Sequence, residues 1–238
     1  MSTLIALETS TESCSAALLR DGVIIERSEL APRRHAELIL PMIEALLAEA
    51  DVSRRQLDAV AVGRGPGAFT GVRLAISVAQ GLALGLDIPV VPVSSLAALA
   101  QDAPAGDGAT ILAVVDARMG EIYAGIFRRG SDGLVKGLGE ESVGQAGDLV
   151  VAQVQTIVGT GWATYSDVLA ARLPAAPLFA DGARYPQARA IATLAAQLFA
   201  AGRSVAPELA LPTYLRDKVA LTLREQREQR EQREQRER

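Results

Sequence analysis

The chain has 238 residues, of which 49% are hydrophobic and only 4% aromatic, and its formal net charge is −4 at pH 7. A sizeable core is within reach at this length, and it must be built from Ala, Leu and Val rather than from rings. The acidic balance argues against gripping a polyanion unaided, because neutralising phosphates supplies most of that affinity. One cysteine (Cys14) and one histidine (His35) exclude an internal disulfide and speak against a zinc site.

Residues 4–7 read as a buried strand ending in the polar turn Glu8-Thr9-Ser10-Thr11-Glu12. Residues 15–19 and 23–30 flank Asp21-Gly22, a strong hairpin signal. A helix over 34–50 and a strand over 57–62 follow. Next comes Gly63-Arg64-Gly65-Pro66-Gly67-Ala68-Phe69-Thr70-Gly71-Val72-Arg73, then an apolar helix over 71–86, a strand over 89–93 and a helix over 94–101. Residues 102–108 are turn-rich and mark a boundary. A second series reads as strands over 111–115, 122–128, 134–138 and 156–158, then Gly159-Thr160-Gly161, then helices over 165–173 and 187–201. Two related α/β domains with mixed sheets are expected, 1–104 and 105–218. The remaining 219–238 is a charged tail with an Arg-Glu-Gln repeat from Arg224 and no apolar residue after Leu223; it is expected to be a solvated extension. The opening residues lack a basic, then apolar leader, and the charge-free run 74–86 is too short to span a bilayer, so a cytoplasmic protein is expected.

The glycine-rich connection is the most informative stretch. Four glycines and a proline between a strand and a helix imply a tight turn that points backbone N–H groups above the helix start. It is no P-loop, since no lysine follows, and no dinucleotide fingerprint, since the third glycine arrives one residue late. Arg73 falls in the first helical turn, where the macrodipole disfavours a cation. It is either solvated or faces an anion or a partner's carboxylate.

The helices over 34–50 and 71–86 carry more apolar surface than one protein face requires. Leu38, Ile39, Met42, Ile43 and Leu46 on the first, with Val72, Arg73, Ile76, Ala79 and Gln80 on the second, form a candidate subunit interface. Burial on both sides within one domain is the competing reading. Pro41 implies a kink or a late start in the first helix.

Other chemistry is scarce. A second metal ligand three or four residues after His35 would fall on Leu38 or Ile39, and no Gly-x-Ser-x-Gly elbow exists. The best enzyme reading is a nucleotide cleft, with Glu8, Thr9 and Ser10 facing Asp116 across it to hold a phosphate and its magnesium. The first of these turns has no glycine to let a phosphate approach.

Four motifs, in order, carry a family resemblance. Gly65-Pro66-Gly67-Ala68-Phe69-Thr70-Gly71-Val72-Arg73 is similar to the G-P-G-S-F-T-G-[LV]-R signature of the TsaB family. Glu8-Thr9-Ser10-Thr11 resembles its D-T-S-T, with Glu8 in place of aspartate. Asp116-Ala117-Arg118-Met119-Gly120-Glu121-Ile122-Tyr123 and Pro212-Thr213-Tyr214-Leu215-Arg216 resemble its D-A-R-x-x-E-[VI]-Y and closing P-x-Y-L-R. The resemblance implies a duplicated actin-like ATPase (RNase H-like) fold without cofactor or catalytic residues of its own. It implies a scaffold for a TsaD-like catalytic paralogue in tRNA threonylcarbamoyladenosine formation, joined by a TsaE-like ATPase. Self-association when alone, pairing through the first two helices, and contact with tRNA only through the complex are also implied. An actin-like ATPase or small-molecule kinase is the alternative. A metallopeptidase is disfavoured by the missing second histidine.

Overall fold

The structure, a computed structural model, describes residues 2–216; the Arg-Glu-Gln repeat lies outside the described residues. Strands β1 (Leu4–Glu8), β2 (Ser13–Arg20) and β3 (Val23–Leu30) form an antiparallel meander. Asp21 and Gly22 both have positive φ (52° and 83°), as an Asp-Gly hairpin turn demands. Helix α1 (His35–Glu49) then leads to β4 (Ala59–Gly63), α2 (Phe69–Leu86), β5 (Val90–Val93) and α3 (Ser95–Gln101). Strands β4 and β5 add in parallel beside β1, so the first sheet runs β3-β2-β1-β4-β5. Ser94 caps α3 by accepting the Ala97 N–H at 3.1 Å.

The second sheet repeats the pattern. Strands β6 (Thr110–Arg118), β7 (Glu121–Arg129), β8 (Val135–Gly137) and β9 (Ser142–Gln145) are antiparallel neighbours, while β10 (Thr156–Val158) and β11 (Phe179–Asp181) add in parallel beside β6. Its order, β11-β10-β6-β7-β8, mirrors the first sheet. This is the duplicated actin-like arrangement. Helices α4 (Thr160–Ala170) and α5 (Ala188–Ala200) complete it.

Period-two alternation decides which core each strand residue enters. On the first sheet Ile5, Leu7, Leu18, Val60 and Val62 face α1 and α2. Leu4, Ala6, Ala17, Ala59 and Ala61 face a second core shared with Ile111, Ala113 and Val115 of β6 and with α3 and α5. On the second sheet Leu112, Val114 and Ile157 turn outward to α4. The alanines on both sides let α5 approach the first sheet closely. The last helix, expected to finish the second domain, thus lies on the first sheet and against α3.

Three elements depart from the expected set. Helix α4 starts at Thr160 rather than 165, because Gly159 (φ 111°) and Gly161 sit where a Cβ would meet Val114; the kink falls at Tyr165. Strands β9 and β11 are short edge elements with no strong period. Among the described residues, α2 is the one helix long and apolar enough to cross a membrane by length and composition, yet Val72, Ala75, Ile76, Ala79 and Ala83 are buried in the sheet-facing core.

Candidate functional site

The carboxyl ends of β1 and β6 open onto a cleft of about 480 Å³ between the two sheets. Its walls include Ser10, Asp116, Tyr123, Thr160, Tyr185 and Arg216. Sheet switch points of this kind are where open α/β folds bind ligands.

The glycine-rich turn does not cradle a ligand here; it holds its own chain. A Cβ on Gly71 would sit 2.0 Å from the Thr9 carbonyl oxygen, and one on Gly67 would sit 2.4 Å from that of Ser10. Only glycine lets the start of α2 press onto the β1–β2 turn. The Ala68 N–H donates to the Ser10 carbonyl at 2.7 Å, and the Thr9 hydroxyl donates to the Gly71 carbonyl at 2.7 Å. Gly65 has φ 87° and precedes a cis bond to Pro66. Phe69 and Thr70 are exposed at the helix start.

Of the expected cleft residues, Ser10 and Asp116 line it; Glu8 and Thr9 do not. Glu8 is fully buried, accepting the Ser10 N–H at 2.6 Å and the Ser95 hydroxyl at 2.7 Å. A Cβ on Gly63 would overlap its carboxylate, so that glycine makes its space. Desolvation raises the Glu8 pKa above the usual carboxylate value, opposed by the Ser95 and Ser10 hydrogen bonds. Its carboxyl thus faces the β1–β2 turn and Ser95 rather than the cleft. The Ser10 hydroxyl is buried beside Glu8. Asp116 accepts the Arg118 N–H at 2.8 Å and the Tyr165 hydroxyl at 3.3 Å, and Arg118 reaches on to Glu12 at 3.0 Å. The carboxylates at the mouth are thus already paired with a cation. His35 donates a ring N–H to the Thr11 carbonyl at 2.8 Å and steadies the same turn.

The interface expectation is corrected in its residues. Ile39, Met42, Ile43, Leu46, Val72, Ile76 and Ala79 are all buried in the protomer's own core, because the first sheet presents a face broad enough for both helices. Leu38, Arg73 and Gln80 are partly exposed, and each is engaged. Leu38 packs against that core, and Gln80 donates its amide to the Ala210 carbonyl at 3.2 Å. The Arg73 guanidinium lies over the Phe69 ring, 3.1 Å from its centroid, and 4.8 Å from that of Tyr214. The exposed positions of α2 are instead Phe69, Thr70, Ser77, Gly81, Leu84 and Gly85. Leu209 and Leu211 are also exposed, on the segment whose 3-10 turn Pro207–Leu209 packs on α2. Sequence pattern misses these two because the segment has no helical or strand period.

A family model described as TsaD, tRNA N6-adenosine threonylcarbamoyltransferase, matches residues 22–223. The tRNA threonylcarbamoyladenosine biosynthesis protein TsaB of Escherichia coli (strain K12) is 41% identical over 225 residues, which cover 91% of this chain and 96% of that protein. The chain belongs to the TsaB family. The TsaB of Haemophilus influenzae is likewise 41% identical, over 77% of this chain and 82% of its own. The solved structure of YeaZ from Pseudomonas aeruginosa superposes with a TM-score of 0.82 at 44% identity, covering 90% of this chain and all of that one. Within this chain, the four motifs that carried the resemblance converge in space. The β1 turn, the α2 start, the β6–β7 turn and the closing segment all border one cleft.

Proposed function

We propose that this chain is a non-catalytic subunit in tRNA threonylcarbamoyladenosine formation that acts by pairing with a TsaD-like catalytic paralogue. The observation that carries the reading is the glycine turn closed on Thr9 and Ser10. A turn whose glycines and hydrogen bonds hold its own chain is poorly placed to grip a triphosphate. The cleft's acidic groups are likewise tied to Arg118. What remains for function is a surface. The exposed positions of α2, Leu84 among them, with Leu209 and Leu211 are the docking face, and small residues at Ser77, Gly81 and Gly85 let a partner helix come close. The same face serves self-association when the paralogue is absent. A TsaE-like ATPase joins the complex, tRNA is held by the complex as a whole, and the setting is the cytoplasm.

Reconstitution tests this. The paralogue, the ATPase and a threonylcarbamoyl-adenylate supply should modify tRNA well with this chain and poorly without it. Equal modification in its absence defeats the proposal. Leu84→Glu should abolish pairing while leaving the protomer folded. The cleft volume favours a second reading, a nucleotide-binding ATPase. ATP turnover by the isolated chain, lost in Asp116→Ala, would establish it.

A further inference from the structure

The closing segment, residues 210–216, touches both lobes. Ala210 is buried in the first lobe's core and its carbonyl accepts the Gln80 amide. The Thr213 N–H donates to the Arg64 carbonyl at 2.9 Å, which ties the segment to the glycine-rich turn. Tyr214, half exposed, stands 6.3 Å from Phe69 with the Arg73 guanidinium against both rings. Two residues later the chain has crossed to the second lobe. There the Arg216 guanidinium donates to the Ala117 carbonyl at 3.1 Å and pairs with the Glu121 carboxylate. Thr213, Tyr214, Leu215 and Arg216 all border the cleft. The buried core that α3 and α5 share with both sheets already joins the lobes. A second attachment across the cleft closes a ring around it.

We propose that residues 210–216 are a strap that fastens the two lobes across the cleft and holds its mouth closed. The fastening on the first lobe is redundant: a buried alanine, two hydrogen bonds and an aromatic–guanidinium stack. Among the described residues, the strap's hydrogen bonds and ion pair to the second lobe all come from Arg216. Arg216 is therefore the release point. When it lets go, the strap stays rooted on α2 and the turn at Arg64, and the cleft opens on the side of the β6–β7 turn. The strap also contributes Leu211 to the face assigned above to a partner. The proposal does not depend on that assignment, because its contacts lie within one protomer.

The test is hydrogen exchange on the full-length chain, comparing the unmodified protein with Arg216→Glu, Glu121→Arg and the double charge swap. Far-UV circular dichroism establishes that each variant is folded. Either single substitution sets like charges face to face. Each should speed exchange at the cleft turns, residues 9–12 and 116–120, by about tenfold, as expected for a local opening rather than global unfolding. The double swap restores opposite charges and should return the slow exchange. Tyr214→Ala, at a half-exposed site, should loosen residues 211–215 with less effect on 116–120. The proposal is overturned if Arg216→Glu leaves the turns as protected as before, or if the double swap exchanges as fast as the single variants.

Discussion

Gly71→Ala and Gly81→Ala place the same methyl group in the same helix and should change stability in opposite directions. At Gly71 the added Cβ would lie 2.0 Å from the Thr9 carbonyl oxygen, where ordinary contact is 3.4–4 Å. The blocking atom is backbone, so the start of α2 must lift by more than about 1 Å. Overpacking of this kind costs about 1–3 kcal/mol. Lifting also breaks the buried bonds Thr9 hydroxyl to Gly71 carbonyl and Ala68 N–H to Ser10 carbonyl, each worth about 1 kcal/mol and more where a partner is left unsatisfied. The total is a loss of about 3–5 kcal/mol. At Gly81 nothing lies within 4 Å of the new atom. There the gain in helix propensity should stabilise by about 0.5–1 kcal/mol. Urea denaturation followed by far-UV circular dichroism, at protein concentrations low enough to exclude self-association, measures both. The close-approach argument fails if Gly71→Ala unfolds within about 0.5 kcal/mol of the unmodified chain, a margin typical of neutral surface changes.

Ile39→Glu should unfold the protomer, because the site is fully buried; a loss exceeding about 4 kcal/mol is expected for an unpaired charge there, read from the melting curve beside a native-like Leu84→Glu. Glu8→Gln should flatten the dependence of stability on pH. Burial raises the Glu8 pKa in the folded state, so the folded chain binds that proton more tightly than the unfolded one. The stabilisation is complete below the ordinary carboxylate value of about 4.5 and fades as pH rises towards the raised folded value. The variant, compared across pH by urea midpoints, should gain relative stability on the neutral side; an unchanged slope contradicts a buried proton. Arg129→Met should cost about 2–4 kcal/mol, since its guanidinium donates to the Ala100, Gln101 and Ala103 carbonyls at the end of α3 and to that of Gly133. Thermal unfolding checks it, and a shift no larger than that of an exposed Arg203→Met would refute the role.

Much of the architecture is legible in the chain because its signals are local. Asp21-Gly22 demands a hairpin, and the short apolar runs of β1, β4 and β6 read as buried strands, although only the structure shows which core each residue enters. The count of apolar residues on α1 and α2 is also read correctly, but counting cannot show what covers them. The first sheet offers Ile5, Leu7, Leu18, Val60 and Val62 on one face, enough for both helices, and residues 205–210 close the flank of α2. That last segment has no period to announce it. Glycines pose the same difficulty. Spacing marks Gly67 and Gly71 as sites of close approach, yet only the 2.4 and 2.0 Å distances show that the approaching group is the chain itself. Glu8 likewise reads as a strand-end carboxylate facing outward, whereas Gly63 and Ser95, distant in sequence, enclose it.

The placement of α5 has a consequence for how the protein is made. One face of the first sheet is covered by residues 188–200, so the amino-terminal half leaves the ribosome with Leu4, Ala6, Ala17 and Ala61 uncovered until nearly the whole described chain has been translated. Domains usually fold as units during synthesis, starting from the amino terminus, but here the first sheet's cover includes α5, the last α-helix among the described residues. Truncation before residue 188 would therefore strip the first lobe as well as the second, and nascent chains stalled short of that point should be captured by chaperones that recognise bare apolar strands.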